Sequence, residues 1–260
     1  MLLSGLQKRV MQFLWWGGLG LAIGGALLLI LRYHLIGGAA LGTGLAALGL
    51  NALLGGGELR TGYEIRPFTA RGMVVRGRLE SNSLLSDLVV GSCGVDRVAM
   101  VRFGPFGKPR FNVVDNVAHL RLRGSLLRPN VASWEANLAG NVLWDVEARS
   151  WLGDLTFDLG DLRLDKVDIR SALGTLTISC PAHGYARLHL RTRIGQVVLH
   201  VPPEVEARVR LKRGWLSTLR VKNERLLSAG KRRFSTPNFE GAAAQVEVTI
   251  EVGAGDVILD

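Results

Sequence analysis

The stretch Arg193–Val209, RIGQVVLHVPPEVEARV, decides the fold, because two earlier stretches share its design. Ile194-Gly195-Gln196-Val197 matches Leu173-Gly174-Thr175-Leu176 and Leu152-Gly153-Asp154-Leu155, so Gly153, Gly174 and Gly195 recur every 21 residues. Neighbouring positions keep step. Alternate residues after each glycine read Leu155, Phe157, Leu159, then Leu176, Ile178, Cys180, then Val197, Leu199, Val201. Before the glycines they read Val146 and Ala148, Val167 and Ile169, Leu188 and Leu190. A period of two places such residues on one face of a strand. Each unit is therefore two short strands joined at a glycine corner, where positive φ costs glycine nothing in sterics.

Stacked units of this kind bury a continuous apolar column that one unit could not bury alone. The expectation for residues 140–260 is an all-β domain, a short β-solenoid or stacked sheets. The register persists at Val209 and Leu211, slips at Gly214-Trp215-Leu216-Ser217, and gives way to a polar, basic stretch over 222–244 that reads as a long loop or lid. It returns in VTIEVGAGDVILD, where Val248 and Ile250 precede Gly255, and Val257 and Leu259 follow it. Residues 58–139 are also strand-rich, and Leu85-Ser86-Asp87-Leu88 echoes a corner with serine in the glycine position. They are open to reading as degenerate turns of the same body.

The chain begins differently. Val10–Leu31 and Leu35–Gly57 are apolar runs of 22 and 23 residues, joined only by Arg32, Tyr33 and His34. A helix needs roughly 20 apolar residues to cross a bilayer, so the expectation is a transmembrane hairpin. A signal peptide, whose apolar region is shorter, and a pair of buried helices are the alternatives. Gly20 and Gly24, and Gly38 and Gly42, have the small-xxx-small spacing that lets helices approach closely, within the hairpin or between two copies. Lys8 and Arg9 before the first run, and Arg60, Arg66, Arg71, Arg76 and Arg78 after the second, put the positive charge on one side. That bias predicts a two-pass membrane protein with its β domain in the cytoplasm. Two cysteines, Cys93 and Cys180, make no disulfide framework.

RIGQVVLHVPPEVEARV, the preceding ALGTLTISCP and the terminal VGAGDVILD together resemble the C-terminal domain of the LiaF-like family of bacterial envelope-stress proteins, whose β fold is related to toastrack domains. The resemblance covers about residues 150–260 and the N-terminal anchor. It implies a non-enzymatic regulator in the bacterial plasma membrane that senses envelope damage and restrains a partner histidine kinase. The chain departs from better-known members in having two expected spans rather than more, and in its strand-rich region before residue 150.

The repeat also orders the charges. Four residues before each corner, on outward parity, stand Arg149, Arg170 and Arg191, and the 21-residue step carries this row on to Lys212. Rungs paired in register would hold these side chains about 5 Å apart, where like charges repel by only about 0.8 kcal/mol in water. One reading is a solvated face, partly neutralised by Glu147 and Asp168. The other is a surface for anionic lipid, extended by Arg208, Arg210, Arg213 and the loop cluster Lys231, Arg232 and Arg233. Homo-oligomerisation into a membrane-associated scaffold is the alternative function, although Glu247 and Glu251 give the last unit the look of a capped end.

Other chemistry finds little support. Nucleic acid is the obvious partner for a net charge of +10, but charge alone gives only non-specific attraction, and the repeat has few aromatic residues for stacking. Cys180, His183, His189 and His200 do not share a face, since Cys180 has inward parity while His189 and His200 have outward parity. The aspartates Asp154, Asp158, Asp161 and Asp165 fit turns better than a calcium loop. No nucleophile elbow, phosphate loop or dinucleotide fingerprint is present, so no cofactor and no catalysis are expected.

Overall fold

A computed structural model of the chain describes residues 20–23, 43, 63–70, 72–104, 108–123 and 133–260. The predicted hairpin over 10–31 and 35–57, with Gly24, Gly38 and Gly42, lies outside these residues apart from a helical stretch at 20–23, which includes Gly20, and a helical residue at Thr43. Among the described residues no helix is long and apolar enough to cross a membrane.

Tyr63–Asp260 forms one compact unit. Its strands are β1 (Glu64–Phe68), β2 (Arg76–Leu85), β3 (Leu88–Cys93), β4 (Ala99–Phe103), β5 (Arg110–Val114), β6 (Val117–Arg123), β7 (Trp134–Ala139), β8 (Leu143–Leu152), β9 (Leu155–Asp158), β10 (Arg163–Ser179), β11 (Gly184–His200), β12 (Glu206–Val221), β13 (Leu227–Ser228), β14 (Arg233–Ser235) and β15 (Ala244–Leu259). Among its described residues the unit is all β, as its alternating pattern requires, with only a 3-10 turn at Phe239–Gly241 besides.

Each long strand bends at its glycine and contributes to two walls. The first wall runs β5-β6-β2-β8-β10-β11-β15-β12-β14-β13, the second β1-β4-β7-β3-β9-β10-β11-β15-β12. Pairing between rungs is parallel and in register: Gly174 lies opposite Gly195, and Gly195 opposite Gly255. The pair β2 and β3 makes a rung with Ser86 at its corner, parallel to β8 and β9. Inward residues of both walls, such as Leu79, Val146, Ile169, Leu190, Ile250, Phe157, Ile178, Leu199 and Val257, are fully or almost fully buried between them.

The corner glycines have φ of 140° at Gly153, 135° at Gly174, 146° at Gly195 and 121° at Gly255. A Cβ on Gly174, Gly195 or Gly255 would also land on the carbonyl oxygen of the glycine one rung before. Corner aspartates stitch adjacent rungs. Asp87 accepts the Asp154 N–H at 2.8 Å, and Asp154 accepts the Thr175 N–H at 2.7 Å.

Two expectations need correction. The terminal strand is not the end of the stack: β15 lies between β11 and β12, parallel to both, so β12 is the last rung. The 21-residue pattern specifies how rungs align but not their order, because β12 and β15 offer the same apolar parity. Charge distinguishes them. Glu247 sits between Arg187 and Arg208, and Glu251 between Arg191 and Lys212, whereas β12 placed directly on β11 would set basic residues side by side.

The stretch 222–244 is not a free lid. Leu226, Thr236 and Phe239 are buried, Thr236 accepts the Ala207 N–H at 2.9 Å, and the Arg225 guanidinium donates to Pro202 O at 3.2 Å. It is the packed return by which the chain passes from the last rung back into the stack.

Candidate functional site: a charged face and a basic cleft

The outward residues of the first wall form straight rows across the rungs. Arg149, Arg170 and Arg191 lie opposite one another, as the repeat predicts. The row then departs from expectation, since Glu251 stands next and Lys212 follows it. Two residues away, Glu80, Glu147 and Asp168 make an acidic row in the same register.

The two rows neutralise each other. Arg149 meets Glu147 at 2.6 Å and Arg170 meets Asp168 at 2.7 Å, while Glu251 receives both Arg191 and, at 2.8 Å, Lys212. The Lys212 ammonium, with Arg191 and His189 assisting, holds the Glu251 carboxyl down at about 2 against partial burial, and the Arg170 guanidinium likewise lowers Asp168. Exposed pairs of this kind contribute about 0–1 kcal/mol each. The ladder is thus a solvated, largely compensated face.

The remaining basic candidates divide. Arg208 stacks over the Phe239 ring at 4.3 Å and pairs with Glu240 at 3.2 Å, so it pins the return segment to the last rung. Arg213 stands at the bulge where β12 slips against β15. Arg210, Lys212, Lys231, Arg232 and Arg233 line one open cleft. Their meeting follows from β14, which turns back antiparallel on β12 and sets Arg233 opposite Arg210. The Leu211 N–H donates to Arg232 O at 2.9 Å, with Arg232 at φ 63°. Among the described residues Arg210, Lys231, Arg232 and Arg233 make no ion pair. Uncompensated cations crowded in a concave surface generate a positive potential that attracts anions.

The cleft is the feature that the repeat does not reveal. Its cations are all among the candidates of the sequence, but nothing there joins Lys231-Arg232-Arg233 to Arg210 and Lys212 until the antiparallel return places it. Cys180 occupies the inward column and burial pushes its thiol up to about 12. His189 lies 3.4 Å from Glu251 and 3.8 Å from Asp168, and His200 lies 3.7 Å from Asp260. Among the described residues no group of three or more His, Cys, Asp or Glu is placed to hold a metal ion.

No family model and no curated protein matches the chain. Solved structures do. A "putative cell adhesion protein" of Clostridium sporogenes aligns at a TM-score of 0.68 and 15% identity, over 76% of this chain and 97% of its own. The shared feature is the fold. A "putative adhesin" of Bacteroides fragilis aligns over 77% of this chain and 98% of its own at 10% identity, but its TM-score of 0.33 is too low to inform the comparison. The first of these matches supports an all-β fold of this kind, and the LiaF-like resemblance rests on the motifs alone.

Proposed function

We propose that the chain is a non-enzymatic, membrane-anchored regulator of bacterial cell-envelope stress signalling, whose β domain engages the anionic membrane surface through the basic cleft. The observation that carries this reading is the gathering of Arg210, Lys231, Arg232 and Arg233 in one cleft without acidic partners among the described residues, whereas the ladder cations Arg149, Arg170, Arg191 and Lys212 are each ion-paired. The apolar runs before residue 58 would hold that cleft near lipid headgroups, where each basic residue contributes about 1 kcal/mol. Occupancy of the cleft would change how the domain presents itself to a signalling partner, a histidine kinase by the motif resemblance.

The scaffold reading is less favoured. The first wall ends in antiparallel strands, β5 and the 2-residue β13, and the second wall begins with an antiparallel β1 that carries Pro67, which blunts edge-to-edge pairing at those three edges.

The test is binding of water-soluble, short-chain phosphatidylglycerol to the full chain in non-ionic detergent. Salt-sensitive binding is expected, with Arg210→Glu combined with Arg233→Glu weakening it at least about tenfold. Arg149→Glu, on the compensated face, should change it little. Equal losses in both variants, or none in either, would overturn the assignment to the cleft.

A further inference from the structure

The corner edge carries a feature that the charge rows conceal. The residue before each corner is apolar, and these residues stand in one line: Leu85 opposite Leu152, Leu152 opposite Leu173, Leu173 opposite Ile194, Ile194 opposite Ala254, and Ala254 opposite Leu216. They should be turned into the core if they served the core. Instead Leu152 is 49% exposed, Leu173 41%, Ile194 56% and Leu216 58%. Trp151, 61% exposed, and Trp215, 90% exposed, stand beside the line near its two ends. Single exposed apolar side chains are ordinary, but four aligned across five rungs, interrupted by the small, half-buried Ala254, make a ridge that is not. At about 4.8 Å per rung it runs roughly 24 Å.

Its flanks differ. On one side runs the ion-paired row Arg149, Arg170, Arg191, Glu251 and Lys212, with Arg193 and Arg213 nearer the ridge and free of ion pairs among the described residues. On the other side the corner acids turn inward on the protein: Asp87 and Asp154 accept backbone N–H groups, and Asp256 accepts the Thr218 hydroxyl. An apolar line with tryptophans at its ends and cations along one flank matches the layering of a bilayer interface, in which apolar and indole groups sit at the headgroup–acyl boundary and cations among the phosphates.

We infer that the corner ridge inserts into the interfacial layer of an acidic-lipid bilayer, so that the stack lies along the membrane on this edge. The inference rests on the membrane-anchored reading above, and adds to it the edge of the domain that enters the lipid. Leu152, Leu173, Ile194 and Leu216 enter the acyl boundary, Trp151 and Trp215 settle at headgroup depth, and Arg193 and Arg213 meet lipid phosphate.

The full chain with Cys93→Ser, reconstituted in vesicles of phosphatidylglycerol and phosphatidylcholine, tests this directly. Cys180 is buried and will not react with label. A nitrobenzoxadiazole fluorophore is placed at Ile194→Cys on the ridge, or at Thr156→Cys, exposed on the second wall. The inference expects a blue shift and quenching by shallow spin-labelled lipid at position 194 and neither at 156. Equal access of aqueous iodide to both positions would overturn it. So would shielding of 194 from iodide without lipid quenching, which would put a second copy or another protein on the ridge. A ridge probe in water together with intact, Arg210- and Arg233-dependent phosphatidylglycerol binding would remove the ridge inference and leave the cleft reading standing.

Discussion

Gly195 shows how little freedom a single corner position has. Its φ of 146° is costly for any residue with a Cβ, and that Cβ would collide with the Gly174 carbonyl. Gly195→Ala should therefore destabilise the domain by about 2–4 kcal/mol, read as a lower urea midpoint. Gly230→Ala, at φ 120° but with open space around it, should cost less. Beside the corners lies a column with the opposite character. Ser150, Ser171 and Thr192 stack in register with 1–5% exposure, and their hydroxyl oxygens find no partner among the described residues. A small side chain fits where the wall begins to turn, but a buried, unpaired hydroxyl costs about 1–3 kcal/mol. Thr192→Val keeps the shape and removes the hydroxyl, so it should leave stability unchanged or raise the urea midpoint by an amount equivalent to about 1 kcal/mol. A marked loss would mean that the hydroxyl is satisfied after all.

At the scale of strands, β15 binds its neighbours through charge as well as backbone. The Glu251 carboxyl, held at about 2 against an ordinary 4.5, is ionised more readily in the folded chain than in the unfolded one. Its contribution is therefore complete above about pH 4.5 and drains away as pH falls toward 2. The urea midpoint of the native chain should exceed that of Glu251→Gln at neutral pH, and the gap should close across that acid range. Persistence of the gap at pH 2 would place the effect in packing rather than charge. The same strand marks the limit of what the repeat could disclose. Parity and glycine spacing made the rungs, their corners and their register legible, because each rung must turn apolar residues inward and leave the corner without a Cβ. Rung order was not legible, since β12 and β15 satisfy the same local rules and differ in the signs of their outward charges. The cleft was hidden for a related reason: it depends on β14, which leaves the repeat and pairs antiparallel. The ridge residues were visible as letters, but an apolar residue at an irregular corner looks the same whether it points in or out.

For the whole domain, a strand made late occupies an interior place. While the ribosome is still producing residues 222–243, β8 to β11 are complete and β12 is available, yet the partner that belongs between β11 and β12 does not exist. β12 carries the same apolar parity as β15 and could settle temporarily on β11, in register but with Arg191 against Lys212 and Arg187 against Arg208. The native stack already holds Arg149, Arg170 and Arg191 side by side, so what favours β15 over β12 on β11 is the attraction that Glu247 and Glu251 bring rather than repulsion alone. The acidic strand is thus a keystone: the last stretch of chain to be made fills a place between two rungs made before it, and Glu247 and Glu251 meet basic residues on both sides there.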